Sequence, residues 1–369
     1  MFARMQAIGF GALTLAVLLL GAEASARVDD WLHQDTPVLA NPNRERALTV
    51  HDEHGMHGRP GGSFRKWKLN AFGFRTPEQM DKTPPTGKTR LMFLGASETF
   101  GLRESEGKEY PAQLSEQLRR DGVNDIEVVN AAMAGITIKS QVPYWEKWAS
   151  QVRPQVVFIY PSPMLYLDDE PPRAPQGAAP AAPQESVFAS RFAERVNDAL
   201  GRNPLIRKVR LDWVLRSQAS GKSVAWFYQD APPDRLKLFL DDLAALLDAV
   251  RARGARPVLL THAIKAGSPI RAEDQEDVRE FRRFASRATE NAIVAFEDAA
   301  NAGLKRLATE QGVLVVDIAT HMNGRRAWFG DLVHFNDAGA AEMAHLLAEA
   351  IEDPQHGLRT RPAPGDGAR

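Results

Sequence analysis

From Arg90 onward, short apolar runs alternate with longer stretches in which apolar residues recur at helical spacing. The short runs, such as QVVFIY and VLVVDI, are apolar at successive positions and not only at alternate ones. Strands of this kind are buried on both faces, as in a parallel sheet that is covered by helices on each side. The pattern predicts five parallel strands, at 91–94, 126–131, 155–160, 256–262 and 313–318.

The intervening stretches predict amphipathic helices. In PDRLKLFLDDLAALLDAVRARG, apolar residues follow i, i+3, i+4, i+7 spacing, with Asp234 as the expected cap and Gly254 as the expected stop. Near the C-terminus, Asn336 or Asp337 is expected to cap a last helix. Its predicted inner face consists of Met343, Leu346, Leu347, Ala350 and Ile351. Alternating strands and helices predict an α/β fold with helices on both faces of the sheet.

The remaining segments interrupt this alternation. Residues 27–87 are polar and turn-rich, which predicts an irregular extension with a few strands before the main domain at 88–353. Pro- and Ala-rich sequence follows Asp168, and apolar residues at helical spacing come after it, so 168–233 is interpreted as an inserted helical segment. Such an insertion could cover the active site or lie on the surface, and both readings stay open. Residues 354–369 are expected to form a disordered tail.

The N-terminus has the layout of a secretory signal peptide. Arg4 precedes an apolar run at 7–21, and the small residues of AEASA end at Ala26. The run is short for a membrane span, which needs about 20 apolar residues. We expect cleavage after Ala26 and a periplasmic or secreted protein. The alternative is an uncleaved anchor, the only case in which we expect a membrane partner.

Composition excludes several classes of function. The 369 residues are 44% hydrophobic and 25% charged, with a formal net charge of -1 at pH 7. This balance gives no basis for nucleic-acid binding, and no nucleic-acid partner is expected. The chain has no cysteine, which excludes thiol nucleophiles, disulfides and thiolate metal sites.

Four residues outside the strands could share one site. Ser97 follows the first strand, Gly135 follows the second in NAAMAG, and Asp331 and His334 precede the last helix. Alone, Ser97 is more easily explained as a helix cap, Gly135 as a loop glycine and the Asp–His pair as a solvated loop. Together they fit a serine nucleophile with its base, because these loops meet at the carboxyl edge of a doubly wound sheet.

At these positions the sequence resembles the GDSL/SGNH hydrolases, over about residues 91–352 without the insertion. Its blocks match GASETFG at 95–101, NAAMAG at 130–135 and DLVH at 331–334. The resemblance implies a flavodoxin-like three-layer fold and a serine esterase or acyltransferase. It also implies that Ser97 is the nucleophile, His334 the base and Asp331 the orienting acid. By the same resemblance, the N–H groups of Ser97 and Gly135 bind the oxyanion.

Two positions depart from the family pattern. Ala96 replaces the usual Asp of the first block, which is a supporting residue. In the third block, YPSPMLYLDD places Pro163 where the family has an asparagine that donates to the oxyanion. Proline has no donor, so Ser162 or Asn130 is the expected substitute. The loss of one such donor commonly lowers the rate by about 100-fold or more.

Histidines elsewhere give weaker signals. HDEHGMHG places His51, His54 and His57 three apart beside two acids. Zinc sites can have this spacing, but a solvated loop is favoured, and we predict no metal and no cofactor. His262 ends the fourth strand and is interpreted as a core histidine. Trp145, Trp148, Tyr160 and Tyr166 could stack on sugar rings, although packing is the more frequent role.

The sequence therefore predicts an exported ester hydrolase that forms an acyl-serine, with an acylated small molecule or envelope glycan as substrate. An O-acetyltransferase with the same triad stays open, because sequence does not show whether water or a sugar accepts the acyl group. The other alternative is a catalytically weak carbohydrate-binding or scaffold protein of a polysaccharide-modification system, which the missing third-block asparagine favours. A metal-dependent enzyme that uses the His51–His57 cluster is the least favoured.

Overall fold

The computed structural model describes residues 2–34, 36–39, 47–76, 80–167 and 190–359. The strands are β1 (Thr49–Asp52), β2 (Gly55–Gly58), β3 (Ser63–Phe64), β4 (Trp67–Lys68), β5 (Thr89–Gly95), β6 (Ile126–Asn130), β7 (Val156–Tyr160), β8 (Arg256–Leu260) and β9 (Leu314–Val316). The α-helices are α1 (Phe2–Gln34), α2 (Ser97–Phe100), α3 (Tyr110–Arg120), α4 (Ile138–Lys147), α5 (Arg191–Arg202), α6 (Pro204–Ala219), α7 (Pro233–Ala252), α8 (Gln275–Phe281), α9 (Glu290–Gln311), α10 (Ile318–Met322) and α11 (Asp337–Glu352).

The main sheet contains five parallel strands in the order β6-β5-β7-β8-β9. The order reverses at β5, which makes the sheet doubly wound and opens a crevice at the carboxyl ends of β5 and β7. All five predicted strands are present, and the expected three-layer flavodoxin-like fold is confirmed. Two strands are shorter than predicted: β8 ends at Leu260, two residues before His262, and β9 covers only Leu314–Val316 of the predicted 313–318.

Side chains alternate across the sheet and give the domain two cores. Met92 and Leu94 of β5 pack on one face with residues of α4, α7 and α9. Leu91 and Phe93 point to the other face and pack with residues of α3 and α11. Burial on both faces explains why the strands are apolar at successive positions.

The two helices analysed from the sequence begin in different ways. Asn336 caps α11, since its side-chain oxygen accepts a hydrogen bond from the Gly339 N–H at 3.0 Å. The cap expected for α7 was wrong: Asp234 lies inside its first turn, and Pro232 precedes the helix without a side-chain cap. A proline near the helix start fixes φ there, so α7 needs no capping side chain.

The N-terminal extension forms two short hairpins, β1–β2 and β3–β4, and then contacts the end of α2. The Asn70 side chain accepts hydrogen bonds from the N–H groups of Phe72 and Phe74 and holds this turn closed. The buried Arg75 donates to the Phe100 and Gly101 carbonyls and pairs with Glu109 at 2.8 Å. Arg75 therefore anchors the end of α2, the helix that begins at Ser97.

Parts of the inserted and terminal segments are described. Residues 168–189 of the predicted insertion lie outside the described residues, as do 360–369 of the predicted tail. The rest of the insertion includes α5 and α6, and α1 packs against α5. Before the C-terminus, Leu358 is buried and Arg359 pairs with Asp125 at 2.9 Å.

Candidate active site

Ser97 lies at the carboxyl end of β5, where the strand turns directly into α2. The turn is tight, because a Cβ added to Gly95 would lie 2.1 Å from the Thr99 hydroxyl oxygen. Only glycine fits at that position without displacing the first turn of α2. The bend places the Ser97 side chain, half-buried, above the sheet edge at the switch point of the strand order.

His334 bridges Ser97 and Asp331. Its Nε2 lies 2.9 Å from Ser97 Oγ, and its Nδ1 lies 2.8 Å from Asp331 Oδ1. Asp331 Oδ1 also accepts the His334 backbone N–H at 3.0 Å, which fixes the loop before α11. A carboxylate on Nδ1 selects the tautomer whose free Nε2 can take the serine proton. The structure thus brings together the three residues that the sequence singled out for catalysis.

The charges around His334 favour its protonated form. Burial by itself lowers the pKa of His334, but the hydrogen bond that its ring donates to Asp331 and the charges of Glu98 and Asp331 outweigh it and raise the pKa. Burial raises the pKa of Asp331, yet its interaction with His334 holds that pKa well below the usual range. Arg103 contributes to this effect through a 2.9 Å bond to Asp331 Oδ2. These charges therefore stabilise an imidazolium at His334.

A buried charged cluster lies directly beside the triad, and the sequence reading missed most of it. Glu98 Oε2 lies 3.2 Å from Ser97 Oγ, and Glu98 Oε1 lies 3.5 Å from His262 Nε2. On its other side, His262 Nδ1 lies 2.8 Å from Glu297 Oε1. All three side chains of this Glu98–His262–Glu297 cluster are buried. His262 is a core histidine, as expected, and its ring lies between two buried carboxylates.

Burial and pairing act in opposite directions on the pKa values of this cluster. Burial lowers the pKa of His262, but Glu297 and Glu98 outweigh it and raise the pKa to about 10. Burial raises the pKa of Glu98, but His262 outweighs it and lowers the pKa to about 2. At neutral pH, Glu98 therefore places a negative charge beside Ser97 and His334.

Two backbone donors are available for an oxyanion. The hydrogen bonds between β5 and β6 continue past β6 as Ala131 N to Phe93 O and Met133 N to Gly95 O. These two hydrogen bonds hold the first part of the loop that ends at Gly135 alongside the carboxyl end of β5, which precedes Ser97. Within the described residues, the N–H groups of Ser97 and Gly135 have no hydrogen-bond acceptor. The family resemblance implies that these two groups bind the oxyanion, and that role stays a prediction.

The side chains expected to replace the third-block asparagine are engaged elsewhere. The Ser162 hydroxyl donates to the Glu98 carboxylate at 3.0 Å, and the Asn130 amide donates to the Thr99 carbonyl at 2.9 Å. Pro163 begins a buried 3-10 turn and offers no N–H. The oxyanion role of Ser162 and Asn130 stays a prediction. The Ser162 hydroxyl would have to give up its bond to Glu98, whereas the Asn130 amide has a second N–H besides the one bonded to Thr99.

A cavity of about 220 Å³ opens beside His334 and Asp331. Its wall includes Arg207, which comes from helix α6 of the insertion, and Arg103. Phe281 and Phe284 supply an apolar side. Helix α6 of the inserted segment therefore lies beside the triad and is more than a surface helix.

The aromatic residues noted in the sequence serve packing. Trp145, Tyr160 and Tyr166 are buried in the core, and Trp148 stacks on His57. Among the described residues, one group of three His, Asp or Glu side chains has the spacing of a metal site. It consists of Asp52, His54 and His57 on the β1–β2 hairpin and includes no triad residue.

Replacing Glu98 by glutamine is expected to shift the pH dependence of activity. The negative charge of Glu98 raises the pKa of His334, and the base must be neutral to act, so activity falls as the pH drops through that pKa. With Glu98→Gln, the acidic limb of the kcat/KM profile moves to lower pH by roughly one unit. Glu116→Gln, an exposed change on α3, is the matched control. An unshifted limb in Glu98→Gln would rule out this electrostatic role.

Comparisons with known proteins find distant similarity to solved structures and none elsewhere. No family model matches the chain, and no curated protein matches it. The chain is similar to the structure of an acetyl xylan esterase, AlAXEase, at 16% identity and a TM-score of 0.42, covering 71% of this chain and 99% of that one. It is also similar to a lipolytic protein of the G-D-S-L family from Veillonella parvula (13%, TM-score 0.41, covering 72% and 99%). A third is the lipase/acylhydrolase from Enterococcus faecalis (15%, TM-score 0.43, covering 74% and 100%).

The fold and the site define a doubly wound three-layer α/β protein with a hydrogen-bonded Ser–His–Asp group at the switch point of its sheet. One of the similar structures is described as a member of the G-D-S-L family, and the resemblance of this chain to the GDSL/SGNH hydrolases rests on its own sequence blocks. The similarity at these identities concerns the fold, and the chemistry has to be argued from the site.

Proposed function

We propose that this protein is a serine hydrolase that cleaves O-acyl esters through an acyl-serine intermediate. The observation that carries the proposal is the position of His334, whose two ring nitrogens lie 2.9 Å from Ser97 Oγ and 2.8 Å from Asp331 Oδ1. This arrangement supplies a nucleophile, its base and the group that orients the base.

The steps follow from the geometry. His334 Nε2 takes the Ser97 proton as Oγ attacks the ester carbonyl, and the N–H groups of Ser97 and Gly135 bind the oxyanion. The imidazolium then gives its proton to the leaving alcohol, so that the carbon–oxygen bond of the ester breaks and Ser97 carries the acyl group. Water or a sugar hydroxyl, deprotonated by His334, attacks this acyl-serine and restores the free serine. With two backbone donors and no third-block asparagine, we expect a rate roughly 100-fold below that of a site with all three.

The cavity supports a short acyl group on a polar alcohol. Its volume of about 220 Å³ is small for a ligand site, and Arg103 and Arg207 make part of its wall polar. We take a space of this size to favour an acetyl group over a long acyl chain at the carbonyl side of the ester. We therefore propose an O-acetylated glycan as the substrate class, with hydrolysis favoured over transfer.

Ester turnover by the full chain in detergent tests this function. We expect p-nitrophenyl acetate to be cleaved faster than p-nitrophenyl decanoate, and acetate to be released from O-acetylated polysaccharide. Adding an unacetylated glycan separates the two acceptors, because a transferase would move the acetyl group to it and a hydrolase would still release acetate. Equal or faster cleavage of the decanoate would contradict the proposed substrate class, and no turnover of any ester would contradict the hydrolase.

Export is the second part of the proposal, and it rests on α1. Residues Gly9–His33 are long and apolar enough to cross a membrane, and a signal sequence has the same character. Cleavage after Ala26 would remove Glu23, whose carboxylate accepts N–H groups at the start of α5, and would leave Asp30 paired with Arg191 at 2.5 Å. The intact mass of protein from the periplasm or membrane distinguishes a chain that begins at Arg27 from an anchored one. Full-length protein in the cytosol would contradict export.

A further inference from the structure

The β1–β2 hairpin gathers ligating side chains on one face. Val50 pairs with His57 and Asp52 with Gly55, so Asp52 and His57 point to the same face of the hairpin. His54 lies in the tight turn between the strands, where its backbone N–H donates to Asp52 Oδ1 at 2.8 Å and its ring lies beside the same carboxylate. His51 pairs with Met56, and both point to the opposite face. The stretch read from the sequence as a solvated loop is therefore an ordered hairpin, in which His57 is buried.

The three ligating groups have the separation that a small cation requires. Asp52 Oδ2 lies 3.0 Å from His57 Nε2, and Asp52 Oδ1 lies 3.4 Å from His54 Nδ1. One ligand atom from each residue lies within 4.8 Å of the others. In a tetrahedral zinc site with bonds of about 2.0–2.1 Å, neighbouring ligand atoms are about 3.3 Å apart. The hairpin can thus reach such a geometry with small side-chain adjustments.

The hydrogen-bond donors and acceptors in this group do not match one another. His57 Nδ1 lies 2.9 Å from the Gly58 carbonyl oxygen, which can only accept, so Nδ1 carries a proton. In the neutral imidazole, Nε2 then presents a lone pair to an Asp52 carboxylate oxygen at 3.0 Å. His54 Nδ1 is buried and has no hydrogen-bond partner among the described residues. A cation between Asp52, His54 and His57 satisfies all three groups at once.

The imidazole of His57 is held in place by its surroundings. The Trp148 ring stacks on it at 3.6 Å between centroids and 9° between planes, and Trp148 Nε1 donates to the Phe72 carbonyl. The strand backbone is also fixed, because a Cβ on Gly58 would lie 1.9 Å from the Gly73 carbonyl oxygen. Metal-binding histidines commonly donate their second ring nitrogen to a carbonyl in this way. The position of the His57 ring is therefore fixed by contacts within the protein.

We propose that Asp52, His54 and His57 bind one divalent transition-metal ion, with Zn²⁺ the best fit to two imidazoles and one carboxylate. Water completes the coordination. The ion fastens the hairpin near Trp148, at the end of α4, and its ligands include no residue of the triad. We assign it a stabilising role for the N-terminal extension, separate from ester chemistry and independent of the proposed function.

Zinc titration calorimetry on the full chain tests this site. The protein is purified in detergent without a polyhistidine tag and stripped with a chelator. We expect one Zn²⁺ per chain, and a rise in Tm when Zn²⁺ is added. Asp52→Asn and His54→Gln should weaken binding by more than about 100-fold, since the loss of even an outer partner lowers metal affinity 10- to 100-fold. Both side chains are partly exposed, so these variants should fold.

His51→Gln is the matched control, because His51 is exposed on the opposite face of the same hairpin. It should bind Zn²⁺ with unchanged affinity and show the same rise in Tm. Mg²⁺, which prefers oxygen ligands, should not compete. The proposal is overturned if the stripped protein shows no saturable Zn²⁺ binding, if His51→Gln weakens binding as much as the other two changes, or if Asp52→Asn and His54→Gln bind normally.

Discussion

Ser97→Ala should lower kcat for ester turnover by roughly 10⁶-fold, the loss typical of a triad without its nucleophile. Without Oγ there is no atom to carry the acyl group, and His334 has no proton to take. His334→Ala should have a similar effect, since Ser97 then lacks its base at 2.9 Å. The double variant should be hardly worse than either single one, because the two residues act as one unit.

The comparison requires a variant that changes a serine without touching the site. Ser115 is exposed on α3, and Ser115→Ala should turn over esters at the rate of the unchanged protein. Initial rates with p-nitrophenyl acetate at several enzyme concentrations measure the effect. If Ser97→Ala kept more than a small fraction of the activity, the ester turnover would have to come from another group or from a contaminant.

His262→Asn should cause a large loss of stability. The imidazolium lies between the buried carboxylates of Glu98 and Glu297, and its removal leaves both without their cation. Breaking a buried ionic group in this way lowers the free energy of unfolding by about 3–5 kcal/mol. For a chain of this size, we expect Tm to fall by roughly 10 °C.

The pH dependence gives this prediction a second readout. The pKa of His262 is raised in the folded protein, so its contribution is complete below the ordinary histidine value and is lost as the pH rises toward about 10. The Tm difference between the unchanged protein and His262→Asn should therefore be large at pH 7 and shrink toward pH 10. His345→Asn, which alters an exposed His–Glu pair on α11, is the control and should leave Tm unchanged. Equal Tm values for His262→Asn and the unchanged protein at pH 7 would show that the cluster is not ionic.

Much of the fold could be predicted because the signals are local. Apolar runs identified all five strands, and Asn336 marked the start of α11. The triad could be predicted from the sequence for a related reason. Ser97 follows a strand and His334 precedes a helix, and the doubly wound topology brings those two positions to one edge of the sheet.

The charged cluster could not be predicted, because no local pattern links its members. Glu98 follows β5, His262 follows β8 and Glu297 lies within α9, and only the packing of α9 against the sheet brings them together. Each position read alone fits a common role: a helix start, a strand end and a polar helix residue.

The hairpin was misread for the same reason. HDEHGMHG is short, polar and rich in turn residues, which favours a loop. What makes it an ordered hairpin lies far away in the sequence, in the stacking of Trp148 on His57 and the close approach of Gly73 to Gly58.

Covalent labelling with a fluorophosphonate tests the central claim most directly, since this reagent reacts with an activated serine and needs no knowledge of the substrate. The full chain, Ser97→Ala and His334→Ala are each labelled, and intact and peptide masses are measured. We predict one adduct, on the peptide that contains Ser97, and none in either variant. A folded protein that gives no adduct, or an adduct on another serine, would contradict the assignment of Ser97 as a nucleophile activated by His334.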